Sequence, residues 1–105
     1  AVLDNLLNKQ KLVFLNFTAD WCITCKVNEA VSLKRKSVKL ALKNKEITYL
    51  KADWTRKDPI IAKKLAEFGR TGVPLYLLYS SSGEPKILPE LLTEETLLGY
   101  IDELN

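Results

Sequence analysis

Residues 11–17 read KLVFLNF, a nearly unbroken apolar run of strand length. A strand with one wet face alternates apolar and polar side chains, so a run that is apolar on both sides needs cover on both sides. That points to a central strand held between helical layers. After Thr18-Ala19-Asp20-Trp21 the chain enters residues 22–31, CITCKVNEAV, which contain neither Gly nor Pro and tolerate a helix. Strand, short turn and helix start therefore follow in direct succession.

The remaining elements extend the pattern. Val2, Leu3, Leu6 and Leu7 recur at helical spacing, predicting a short amphipathic helix that ends near residues 8–10 and covers an edge of the core. A polar break at residues 34–37 leads to Val38, Leu40, Ala41 and Leu42, with Ser37 as the expected N-cap of a second helical piece. Residues 47–53 (ITYLKAD) carry the β-branched and aromatic side chains of a strand. Asp58 as cap, Pro59 in the first turn, an Ile61, Leu65 and Phe68 stripe and Gly69 as terminator delimit a helix. Residues 74–79 (PLYLLY) predict a strand, 80–85 (SSSGEP) a turn and 86–88 a return strand. Thr93, with Glu94 and Glu95 behind it, opens a last helix whose Leu97, Ile101 and Leu104 face the core. The order α-β-α-β-α-β-β-α gives parallel pairs helical crossovers and lets the last two strands form an antiparallel hairpin. The expected fold class is α/β, a mixed sheet between two helical layers.

At 105 residues the chain has material for one core, so residues 1–105 are expected to form a single domain. Hydrophobic residues at 47% and charged residues at 28% suit a folded globular chain rather than a disordered one. No apolar run approaches the ~20 residues that cross a bilayer, so the domain itself is not expected to span a membrane. Sixteen basic against thirteen acidic residues leave +3, too balanced for a nucleic-acid footprint. The one dense basic patch, Lys34-Arg35-Lys36 with Lys39, reads as a solvated helix end. The sequence opens at Ala1 without Met and has no signal-peptide pattern, which suggests a mature fragment or a domain excised from a longer chain. A monomer is expected.

Cys22 and Cys25 are the only cysteines, and there is no His, so neither a multi-bridge scaffold nor a four-thiolate zinc site can form within one chain. In open α/β sheets the reactive crevice lies beyond the carboxyl ends of strands, where Cys22 falls. A thiolate at a helix start is stabilised by free N–H groups, and a residue three positions on lies one turn along the same face. The pair can therefore bond: Cys22, at the exposed end, attacks a partner disulfide, and Cys25, more buried, resolves the mixed disulfide. Other readings of the spacing are half of a metal site, Cu(I) carriage, or a structural disulfide. The first needs carboxylates or a second chain, and the last closes a tiny loop with little entropy to gain.

Trp21-Cys22-Ile23-Thr24-Cys25-Lys26 with Gly72-Val73-Pro74 downstream resembles the thioredoxin superfamily over nearly the whole chain. Within it, Thr18 to Cys22, Glu29, Lys51-Ala52-Asp53-Trp54-Thr55 and the stretch from Phe68 to Pro74 are similar to the C-terminal periplasmic domain of the DsbD family. The resemblance implies a thioredoxin fold and a thiol-disulfide oxidoreductase that relays two electrons to thiol- or disulfide-bearing partner proteins. Its implied electron donor is a transmembrane domain of the same, membrane-anchored chain. It implies a periplasmic location and no cofactor beyond the Cys22–Cys25 disulfide. It also implies that Pro74 is cis facing the dithiol, with Val73 offering its backbone to an extended partner; sequence alone reads Pro74 as simple trans strand entry.

The supporting residues carry two readings each. Glu29, four residues past Cys25, is either a proton acceptor for the buried thiol or an ordinary helix carboxylate. Asn16 stands where relatives commonly carry a buried Asp; an amide cannot titrate, so it is a departure from the pattern or simply a core amide. Lys51 takes the position of a lysine beside that Asp, or snorkels. Trp21 is expected to shield the dithiol and touch partners, Asp20 to shape their approach, and Trp54 and Tyr76 to pack. Ile23-Thr24 bring no cation to the thiolate, which predicts a reductant. The competing functions are a free-standing cytoplasmic thioredoxin and a non-catalytic peptide-binding module of the same fold.

Overall fold

The computed structural model describes residues 2–104. Among them, α1 (Val2–Asn8) leads into β1 (Val13–Thr18), and α2 (Ile23–Asn28) continues directly into a π-helical turn (Glu29–Leu33) and then α3 (Lys36–Asn44). β2 (Thr48–Asp53), α4 (Pro59–Glu67), β3 (Leu75–Tyr79), β4 (Pro85–Ile87) and α5 (Glu94–Glu103) complete the order. The sheet runs β2-β1-β3-β4. β1 pairs parallel with β2 and antiparallel with β3, and β3 and β4 form the antiparallel hairpin. This is the thioredoxin fold the sequence implied.

All six residues of β1 are buried, as the apolar run required. Alternation then splits the core in two. Phe14, with Tyr76 and Leu78 of β3, packs under Val38, Leu42, Leu97 and Ile101 of α3 and α5. Val13, Leu15 and Phe17, with Leu75, Leu77 and Tyr79, pack on the other face under Leu65 of α4 and Leu3, Leu6 and Leu7 of α1. At roughly 25 cal/mol per Å² of apolar surface, it is this two-sided burial that fixes β1 at the sheet centre.

Capping follows the sequence at two helices and departs from it at a third. The Asp58 side chain accepts from the Ile60 N–H at 2.8 Å, and Thr93 accepts from the Thr96 N–H at 3.1 Å. Ser37 is not the cap of α3. Arg35, with extended backbone at φ −67° and ψ 139°, holds that position, and Ser37 falls in the first turn, where its hydroxyl donates to the Glu94 carboxylate. The cap lies where the backbone leaves the extended region, and here that comes two residues early. Among the described residues no helix is long and apolar enough to cross a membrane.

Candidate active site

β1 delivers the chain to the site. Its last residue, Thr18, accepts at its carbonyl from the Trp54 N–H at 2.7 Å, and the turn that follows docks on the end of β2. There the Asp20 N–H donates to Thr55 Oγ1 at 2.9 Å, and the Trp21 indole N–H donates to the Thr55 carbonyl at 3.0 Å. Thr55 is itself held by Asp53, whose Oδ1 accepts from its backbone N–H at 3.0 Å and also from its hydroxyl. Those two bonds, the hydroxyl's first, lower the Asp53 pKa below its ordinary 3.8. Trp21 remains half exposed at 49%, with its ring 5.9 Å from that of buried Trp54 and Lys57 Nζ over both. Trp21 is thus an accessible aromatic next to Cys22, while Trp54 and Tyr76 are buried.

Cys22 is the N-cap of α2. Its Sγ accepts the Cys25 N–H at 3.1 Å, satisfying one of the free donors of the helix start. The two sulfurs are joined, with Cα atoms 5.3 Å apart. Cys25 is 1% exposed and Cys22 only 6%, less than its place at the helix tip suggested, because Ala19 and Val73 pack against the pair. The order of exposure is still the expected one, and the neighbours of Cys22 are open: Ile23 is 78% exposed. The Val73–Pro74 peptide is cis, Pro74 is buried, and Val73 lies against the dithiol.

Asn16 is buried on the face of β1 that points towards α3, where its amide donates to the Tyr49 hydroxyl at 2.7 Å and its Oδ1 meets no hydrogen-bond donor among the described residues. Glu29 opens the π-helical turn, its backbone N–H donating to the Cys25 carbonyl, and its carboxylate lies 3.7 Å from Lys51 Nζ. Lys51 thus pairs with Glu29 rather than with position 16, although β1–β2 register sets it opposite Asn16. Among the described residues no group of three or more His, Cys, Asp or Glu could hold a metal ion.

Two contributors were missed by sequence reasoning. Asn28, three residues past Cys25, is buried; its amide donates to the Tyr76 hydroxyl at 2.9 Å and the Glu90 carbonyl at 2.6 Å, and its Oδ1 accepts the Leu92 N–H at 3.0 Å. A polar residue at helical spacing on the buried face was the available signal. Thr55 was marked only as the last residue of the Lys51-Ala52-Asp53-Trp54-Thr55 stretch, with no role attached.

A disulfide across the first turn of a helix, at the carboxyl end of a central strand and against a cis-Pro, defines a thiol-disulfide oxidoreductase centre. The chain belongs to the thioredoxin-like family, whose profile matches residues 1–81. Among curated proteins it is 33% identical over 75 residues to the thiol:disulfide interchange protein DsbD of Vibrio cholerae, covering 71% of this chain and 12% of that one. It is 31% identical over 103 residues to DsbD of Neisseria meningitidis serogroup A, covering 96% of this chain and 16% of that one. The chain therefore spans less than a fifth of these relatives' length. The crystal structure of the Neisseria meningitidis DsbD C-terminal domain in the oxidised form superposes with a TM-score of 0.82 at 26% identity, over 99% of this chain and 90% of that one.

Proposed function

We propose that this domain is a protein-disulfide reductase that passes two electrons from Cys22 and Cys25 to partner proteins. The observation that carries the reading is the cap itself: the N–H that meets Cys22 Sγ in the disulfide is placed to meet a Cys22 thiolate after reduction. That thiolate attacks a partner disulfide, forming one S–S bond while the partner's first sulfur leaves as a thiolate and takes a proton from solvent. Cys25, one turn behind, loses its proton and attacks Cys22 Sγ, releasing the partner's second thiolate. The partner gains two electrons and two protons, and the domain returns to its disulfide.

Glu29 takes the Cys25 proton, directly or through water, in the role that an Asp at position 16 would otherwise share. Its place one turn past Cys25 and its contact with Lys51 favour this. Lys51 orients the carboxylate, Trp21 and Asp20 meet the partner, and Val73 lends its backbone to an extended partner segment beside Pro74. No cation faces the thiolate from Ile23 or Thr24, so the domain is a reductant.

Similarity to DsbD supports a setting as well. The domain acts in the periplasm as part of a longer membrane-anchored chain, receives electrons from a transmembrane domain of that chain, and works as a monomer with its disulfide as sole redox group, binding no nucleic acid. Insulin reduction with dithiothreitol as donor tests the chemistry. Activity that disappears in Cys22→Ser is expected; retained activity in that variant rejects the reading. A redox titration against glutathione is expected to place the midpoint on the reducing side of glutathione's own.

A further inference from the structure

Charge is unevenly distributed along this chain. Residues 26–45 hold seven basic side chains and one acidic, whereas the rest hold nine basic and twelve acidic. The basic segment begins beside Cys25, runs through the π-helical turn and α3, and ends before β2.

β2 is the sheet edge, and its residues Tyr49 and Lys51 face the α3 side without being covered: Tyr49 is 41% exposed. A groove of about 510 Å³ lies between this strand and the helices. Lys34, Lys39, Lys43 and Lys51 rim it, and Leu42, Ile47 and Tyr49 give it an apolar floor. Among the described residues Glu29 is the one carboxylate lining it and is already engaged by Lys51, while Lys34, Lys39 and Lys43 form no ion pair there.

We propose that this groove docks an acidic segment of a partner polypeptide, one or two of whose apolar side chains seat on the floor while its carboxylates meet the lysine rim. The volume suits a few side chains rather than a folded surface. The basic field reaches past the groove to Lys26 beside the dithiol, which matches an extended anionic chain rather than a single small anion. A flat bilayer of anionic lipid would meet the lysines and leave the concave floor empty. That the segment belongs to the protein whose disulfide reaches Cys22 rests on the exchange reading; the groove's preference for it does not.

Calorimetry with two synthetic peptides tests this, one rich in Asp and Glu around a Phe-Leu pair, the other with Lys at every acidic position. Expected is binding of the acidic peptide alone, weakened about tenfold or more from low to physiological ionic strength. Amide shifts should centre on Leu42, Ile47 and Tyr49. The double variant Lys39→Glu/Lys43→Glu should abolish binding, and Lys9→Glu/Lys11→Glu, with the same change in net charge, should retain it. Equal binding of both peptides, equal loss in both variants, or binding to phosphatidylglycerol vesicles with none to the acidic peptide would overturn the proposal. Exchange with uncharged hydroxyethyl disulfide separates the two readings: neither double variant should change it. Its absence in the unaltered domain would reject the oxidoreductase while calorimetry still decides the groove.

Discussion

Asn28 uses both of its amide hydrogens and its carbonyl inside the protein, tying the dithiol helix to Tyr76 and to the loop at Glu90 and Leu92. Asn28→Ala leaves a buried hydroxyl, carbonyl and N–H short of a partner, so it should cost roughly 2–4 kcal/mol in urea unfolding. Asn16→Asp asks a different question. A carboxyl in that buried place has its pKa raised above the unfolded value, so the penalty is absent at low pH and grows as pH rises towards the folded pKa. The variant should match the parent near pH 4 and lose about 1–3 kcal/mol at pH 8; equal losses at both would contradict the assignment. Tyr76 gives an alkaline counterpart: burial above all pushes its hydroxyl from 10.0 up to about 12, against a smaller lowering by the Asn28 amide. Its contribution to stability is complete below pH 10.0 and lost as pH climbs towards about 12, a slope that Tyr76→Phe should remove. The pairing of Cys22 with Cys25 was legible from residue type and spacing, whereas the cis form of Pro74 was implied only by the family resemblance, since spacing alone reads as trans strand entry. The roles of Asn28 and Thr55 were not legible, because the groups they tie to the site lie 48 to 64 and 34 to 35 residues away in the chain.

Helices marked by a cap and a terminator were readable almost to the residue. α4 begins after Asp58 and closes on Gly69 at φ +71°, a left-handed conformation that disfavours any side chain. Gly69→Ala should cost about 1 kcal/mol, read as a lower urea midpoint with an unchanged slope. The passage from α2 to α3 was the least readable stretch. A π-helical turn there gives a Lys34 N–H to Glu29 carbonyl bond at 2.9 Å, and the extended backbone of Arg35 then breaks the axis before α3 begins. Periodicity at 3.6 residues does not mark the π turn, and Ser37 was misplaced as a cap because the extended residue is Arg35, two positions earlier.

For the whole molecule, the apolar run of β1 predicted a strand covered on both faces, and the sheet sets it between β2 and β3 with a helical layer on each side. Strand order beyond that was not written in the composition of any one segment. β2 lies at the edge with Leu50 and Ala52 packed on one core, while on its other face Tyr49, its ring 5.7 Å from that of Phe14, and Lys51 border the groove. The chemistry depends on the same architecture, since the central strand must end where a helix begins for one sulfur to meet a partner with the other a turn behind. Trapping tests this most directly. Cys25→Ser, reduced and offered a disulfide-bearing protein, should accumulate a mixed disulfide through Cys22 that dithiothreitol dissolves, while Cys22→Ser should accumulate none. A stable adduct through Cys25 in Cys22→Ser, or no adduct in either variant, would contradict the account.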